Sequence, residues 1–243
     1  MTMIVSVHLG DCILIAADKR AMVCDLKTGS MRISKDDEKK IKLWTRGAIV
    51  GTGETLFLNR IADYFIQFKE DGRSLKQMDA IYEEIERRLQ EGIPKEHLRN
   101  NTIIFSIFDG TETLLYSIPI DPFFEVTLKN DIEMIHPYMH EIKVWEVNVT
   151  CFNLPPDMSS LQSFQRHLKG LSAFENEKNF IEYYIDKLKH VFTTHAFIDP
   201  SITPSFDLYI QSCETGKSLA LHVPNLQLSI PSTEKLNFRD KKG

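Results

Sequence analysis

A chain of 243 residues, 42% hydrophobic and 26% charged, is long enough to bury one sizeable core and has the composition of a globular protein. A net charge of −5 without a basic stripe argues against phosphate-backbone binding as the main role, so no nucleic-acid partner is expected. No apolar run approaches the length of a membrane span, and the apolar start Met3-Ile4-Val5 lacks the basic flank of a secretory leader.

In chain order, residues 3–9 alternate and carry β-branched side chains, and Cys12 to Ala17 is a second apolar run. With Gly10-Asp11 between them they predict a hairpin. Residues 24–38 are polar and contain Gly29 and the acidic cluster Asp36-Asp37-Glu38, which predicts an exposed excursion. Ile41 to Trp44 and Ala48 to Val50 predict two more strands around Arg46-Gly47. From Glu54 to Phe68 the spacing of Leu56, Ile61, Phe65 and Phe68 becomes helical. A second helix is expected from Ser74, its N-cap, to Gln90, ended by Gly92 and Pro94. Thr102 to Phe108 and Thr113 to Ile118 predict a hairpin. Lys143 to Phe152 alternates like a strand before Pro155-Pro156 breaks the chain. Residues 159–171 and 176–194 read as helices. Phe206 to Gln211 and Ser218 to Val223 read as a last hairpin.

Strands and helices thus come in segregated blocks, which predicts an α+β architecture rather than a parallel sheet. Two stacked sheets, each covered by a helix pair, would bury every apolar face. One domain is expected over 1–231, followed by a polar tail at 232–243. The four cysteines are scattered and form no C-x-x-C pair, so a reduced, cytoplasmic protein without a zinc site is expected. Cys12 and Cys151 read as inert core thiols. His136 and His140 have helical spacing, but Pro137 between them disfavours a helix, so no metal is expected there. His190 and His195 read as loop or surface histidines, and Phe123-Phe124 as a buried or interfacial pair.

Thr2 follows Met1. Removal of Met1 would leave Thr2 with a hydroxyl and a free α-amine that titrates near 8. A hydroxyl is a poor nucleophile, but the adjacent amine can take its proton. A lysine nearby would keep that amine neutral, an aspartate would hold the lysine, and a backbone N–H would stabilise the oxyanion.

Thr2-Met3-Ile4-Val5-Ser6-Val7, Ile15-Ala16-Ala17-Asp18-Lys19-Arg20, Lys39-Lys40-Ile41 and Gly51-Thr52-Gly53 occur in that order. This front segment, through residue 68, resembles proteasome β subunits, and especially the bacterial ATP-dependent proteasome-like peptidase. The resemblance implies the four-layer αββα sandwich of the N-terminal nucleophile hydrolase type. It implies Thr2 as nucleophile and base, Asp18 as the aspartate orienting Lys40, and Gly53 as the oxyanion-hole glycine, with Gly51 as the alternative register. Asp199 and Ser201, before Phe206, match the residues that support the threonine amine. The family's glycine-serine-glycine turn has no counterpart; Thr150 to Pro156 occupies that place.

The implied activity is hydrolysis of an amide, in a peptide or protein substrate, by a homo-oligomeric ring without a cofactor. An unfolding ATPase partner belongs to the resemblance too, though no sequence feature identifies its docking surface. Two other readings stay open: a non-catalytic proteasome-like subunit serving assembly or binding, and a small-amide hydrolase. Taken alone, Asp18 and Lys40 are an ordinary ion pair, and Arg20 is a structural partner.

Overall fold

The computed structural model describes residues 2–25, 28–67, 76–124, 137–151 and 157–225. The chain is a mixed α/β structure. Strands β1 (Met3–His8), β2 (Cys12–Asp18), β10 (Val147–Cys151), β11 (Phe206–Ser212) and β12 (Ser218–Val223) form one antiparallel sheet in the order β10-β1-β2-β11-β12. A second antiparallel sheet has the order β5-β6-β7-β8-β9. Its strands are β5 (Lys42–Trp44), β6 (Gly47–Thr52), β7 (Thr102–Phe108), β8 (Thr113–Pro119) and β9 (His140–Glu141). Between them in sequence, β3 (Ala21–Cys24) and β4 (Met31–Lys35) pair as a separate ribbon.

The expected hairpins are present. β1 and β2 are buried along their whole length, as a strand with both faces covered must be. Side-chain parity divides their apolar runs. Met3, Val5, Val7, Leu14 and Ala16 join a cluster with Leu161, Phe164, Phe180 and Tyr184 from helices α4 (Ser159–Arg166) and α5 (Glu177–Ile198). Ile4, Ile13, Ile15 and Ala17 point the other way and meet Ala48, Val50, Ile104 and Leu115 of the second sheet. A third cluster joins the other face of that sheet, through Ile49, Ile103 and Phe105, to α1 (Thr55–Gln67), α2 (Lys76–Gln90) and α3 (Lys95–Arg99). α1 buries Phe57, Ile61, Ala62 and Phe65, one stripe at helical spacing.

Several elements differ from the sequence expectation. Residues 28–37 of the expected excursion are exposed, but they contain β4, paired with β3. Its backbone polar groups meet in the ladder, which polar composition does not rule out. The helix expected over 159–171 ends at Arg166, and a separate 3₁₀ turn covers Leu171–Ala173. The next helix, capped at its start by Asn176, runs four residues further than expected, to Ile198, and its buried stripe continues past Val191 and Phe192 to His195. The strand expected from Lys143 begins at Val147, after Trp145 takes a positive φ of 67°. The five-residue helix α3 and the two-residue strand β9 are too short for a periodic signal. Ser74, His136, Phe152 to Pro156 and the 232–243 tail lie outside the described residues. Among the described residues, no helix is long and apolar enough to cross a membrane.

Candidate active site

Asp18 ends β2 and is fully buried, at 0% exposure. Its Oδ1 accepts the Met3 N–H at 2.8 Å and the Lys40 ammonium at 2.8 Å. Its Oδ2 accepts the backbone N–H groups of Arg20 at 2.8 Å and Thr203 at 3.4 Å. A buried carboxylate needs such donors in place of water. Burial pushes the Lys40 ammonium below the usual lysine range; the Asp18 carboxylate opposes that shift and Arg20 adds to it. Thr2 stands next to Met3 at the entry to β1, so the bond from Met3 N–H to Asp18 fixes the backbone that carries it.

Thr2, Lys40, Gly51 and Gly53 line one cleft of about 600 Å³, counted out to where it meets solvent. Gly53 follows β6 with φ +116°, a conformation that excludes ordinary side chains. A Cβ there would also lie 2.1 Å from the Asn101 Oδ1. Asn101 is held in one orientation: its Nδ2 donates to the His97 and Leu98 carbonyls at 2.7 Å each, and its Oδ1 accepts the Glu54 N–H at 2.6 Å. The Glu54 carboxylate accepts the N–H groups of Leu56 at 3.2 Å and Phe57 at 2.7 Å, so it caps the first turn of α1. Arg88 of α2 donates to Glu54 Oε2 at 3.1 Å. The Gly53 turn is therefore seated on three elements.

Asp199 and Ser201 lie in the turn after α5, and neither lines the cleft. The Asp199 Oδ1 accepts the Ser201 N–H at 2.8 Å. The Ser201 hydroxyl oxygen is buried without a hydrogen-bond partner among the described residues. The turn reaches the site by other groups: Thr203 through its N–H to Asp18, and Pro200 through its carbonyl to Arg20 at 2.5 Å. Arg20 also clasps Asp36 at 2.6 and 2.8 Å, the structural role expected of it. Thr203, Asn101 and Glu54 escaped the sequence reading. Glu54 alone carried a signal, an acidic residue opening a periodic run.

Outside the cleft, His195 is buried within α5, which corrects the expectation of a loop or surface position; its neighbour His190 is exposed. The His195 Nε2 is 3.3 Å from the Ser160 hydroxyl, and burial lowers its pKa below the usual imidazole value. His140 pairs with Glu146 at 3.0 Å. Burial pushes the Cys12 and Cys151 thiols up and the Cys213 thiol to about 12, which keeps all three protonated and unreactive. Phe123 and Phe124 are half-buried against the cluster that holds α1.

No family model and no curated sequence matches the chain. Solved structures do. The Gly-1 mutant of Anbu from Hyphomicrobium sp. strain MC1 aligns at TM-score 0.57 and 12% identity, covering 92% of this chain and 88% of that one. Another Anbu structure from the same strain gives 0.54 and 11%, covering 91% and 87%. Anbu from Yersinia bercovieri, described as an ancestral beta-subunit, gives 0.58 and 10%, covering 91% and 86%. At this identity the likeness concerns the fold, and that fold is proteasome-like.

Proposed function

We propose that the chain is a threonine-dependent amide hydrolase of the N-terminal nucleophile type, acting on peptide or protein substrates through Thr2 once Met1 is removed. The carrying observation is the fully buried Asp18, 2.8 Å from both the Lys40 ammonium and the N–H of the residue after Thr2. A lone surface ion pair would not tie the residue next to Thr2 to the lysine of the cleft. The three apolar clusters and the likeness to Anbu support a four-layer αββα sandwich, formed as one domain over 1–231.

In this reading the Thr2 Oγ1 attacks the substrate carbonyl carbon, and its proton passes to the α-amine of the same residue. The Lys40 ammonium keeps that amine neutral and ready to accept the proton. The carbonyl π pair moves to oxygen, which the Gly53 N–H stabilises. Collapse of the tetrahedral species breaks the C–N bond, and the leaving amine departs with the proton. Water then hydrolyses the Thr2 ester. Asp18 holds Lys40 and the Thr2 backbone; Asp199 and Ser201 hold the turn that presents Thr203 to Asp18. The likeness to an ancestral beta-subunit supports assembly into a homo-oligomeric ring. All four cysteines are free, which suits a reducing cytoplasm.

Intact mass and a β-lactone or epoxyketone probe test this. The expected result is a chain lacking Met1 that is labelled on Thr2, with no label on Thr2→Ala. Equal labelling of Thr2→Ala would remove the mechanism. The absent glycine-serine-glycine turn favours a second reading, a non-catalytic subunit for assembly or binding. A retained Met1 blocks the amine and selects that reading.

A further inference from the structure

The charges around the cleft are unevenly matched. Arg20 is held by Asp36 at 2.6 Å, Lys40 by Asp18 at 2.8 Å, and Glu38 by Lys35 at 2.5 Å. Lys39 and Lys42 line the same cleft, and neither forms an ion pair among the described residues. Lys39 is exposed and needs no partner but water. Lys42 is different, because it is half-buried in β5. Its register partner is Ile49 of β6, which packs with Ile61 and Ala62 of α1. Residues paired across a ladder share a face of the sheet. The Lys42 stem therefore lies along an apolar wall, as a lysine does when its methylenes cover carbon and its ammonium seeks a polar contact.

We infer that this cleft selects a carboxylate on the acyl side of the scissile amide, the side chain of a substrate glutamate or aspartate, with Lys42 as the specificity-determining residue. The inference rests on the hydrolase reading and names its substrate class. The wall of Ile49, Leu58, Ile61 and Ala62 takes the methylenes of that side chain. Gly51 leaves the floor without a side chain; a Cβ there would stand 2.4 Å from the Leu58 Cδ2. A neutral apolar side chain in the same place would strip water from the Lys42 ammonium and return nothing for it. Glu38 does not cancel the attraction, since its carboxylate is engaged by Lys35, whereas Lys39 and Lys42 form no ion pair among the described residues.

The test uses the full chain and four fluorogenic peptide amides identical except for Glu, Gln, Leu or Lys at the residue supplying the scissile carbonyl. Wild type is expected to cleave the Glu peptide about tenfold faster in kcat/KM than its Gln isostere, which is about 1.4 kcal/mol. Raising the salt should shrink that ratio, because a cleft open to water is screened. In Lys42→Met the ratio falls to near one, in Lys42→Glu it shifts towards the Lys peptide, and in Lys42→Arg it returns. Should Lys42→Glu fail to fold, the ratio in Lys42→Met still decides. A wild type that prefers Leu or Lys, or a ratio unmoved in Lys42→Met, overturns the inference while leaving Thr2 chemistry in place. Failure to cleave all four peptides, with no probe label on Thr2, overturns the hydrolase reading itself and the inference with it.

Discussion

Asp18 accepts hydrogen bonds from the β1 backbone, from Lys40 and from the turn after α5, so its replacement acts on three segments together. Asp18→Asn removes the charge and turns one donor towards groups that already donate. It takes from the buried Lys40 ammonium the carboxylate that lies 2.8 Å from it. Breaking such a pair from one side costs about 3–5 kcal/mol. Burial already lowers the Lys40 pKa, and loss of Asp18 removes the largest opposing influence. The unfolded lysine keeps its ordinary value near 10.4, so between the lowered folded value and that value the unfolded chain binds more protons. Stability of Asp18→Asn should therefore rise with pH across that window more than wild type does, and Lys40→Met in the same background should recover part of the loss. Urea melts at several pH values measure both. A pH-independent deficit that Lys40→Met does not relieve would show that Asp18 acts through its backbone donors alone. Asp18 and Lys40 were legible in the sequence because residue types and order carried them. Asn101 was not, since its role depends on the positive-φ turn at Gly53 brought against it from 48 positions earlier, and no spacing reports such a contact.

At the scale of elements, α5 links the core to the site. It buries Phe180, Tyr184, Leu188, Val191 and Phe192 along one stripe, and the turn at its end places Pro200 on Arg20 and Thr203 on Asp18. His195 sits at the root of that turn, with its Nε2 3.3 Å from Ser160 of α4. Burial lowers the His195 pKa, against the pull of Asp157 and Asp199. His8, in β1, is lowered for the same chief reason. Below about pH 6.5 the unfolded histidines take up protons that the folded ones resist, so the native state loses stability as pH falls through that value. The melting temperature should drop between pH 7 and pH 5, and His195→Gln should flatten the slope by its share. An unchanged slope in that variant would mean that His195 takes its proton without resistance. The strands and long helices were legible because their apolar periodicity is strong. The inward face of His195 was not, because a lone imidazole in a helical stripe carries no sign of whether it is covered. The β3–β4 ribbon was hidden for the opposite reason: its strands are paired yet have little buried face, so burial left no alternation to read.

Across the whole molecule, the two sheets meet through an apolar layer crossed by a buried polar bridge, besides the bonds from Thr113 of β8 to the Ser212 and Cys213 carbonyls at 2.7 and 3.0 Å. The Ser106 hydroxyl of β7 donates to the Gln211 Oε1 of β11 at 2.8 Å and accepts the Ala48 N–H at 3.0 Å. The Gln211 Nε2 donates to the carbonyls of Arg46 at 3.0 Å and Gly216 at 3.1 Å. Both side chains are buried, and side-chain parity puts Ser106 with Ile104 and Gln211 with Tyr209 on the faces that meet. The alternation in each strand was readable, but a polar residue on the inner face reads as a fault until its partner on another sheet is known. Gln211→Leu keeps the volume and takes the acceptor from the Ser106 O–H and a donor from the Gly216 carbonyl, while the Ser106 oxygen keeps the Ala48 N–H at 3.0 Å and the Arg46 carbonyl keeps the Phe108 N–H at 2.7 Å. Each orphaned group costs about 1–3 kcal/mol, and the losses are not additive within one network. The expected loss for the single variant is about 2 kcal/mol. Ser106→Ala should lose about 2 kcal/mol, and the double variant less than the sum. Trp44 packs in the cluster of the second sheet, so in a Trp145→Phe background its fluorescence reports that side of the molecule, while circular dichroism reports both. Wild type should unfold in one transition seen identically by the two probes. Gln211→Leu should separate them, because the bridge is one of the polar links that couple the melting of one sheet to the other. Coincident transitions in that variant, with single losses that add, would leave the apolar layer and the Thr113 bonds as the link between the sheets.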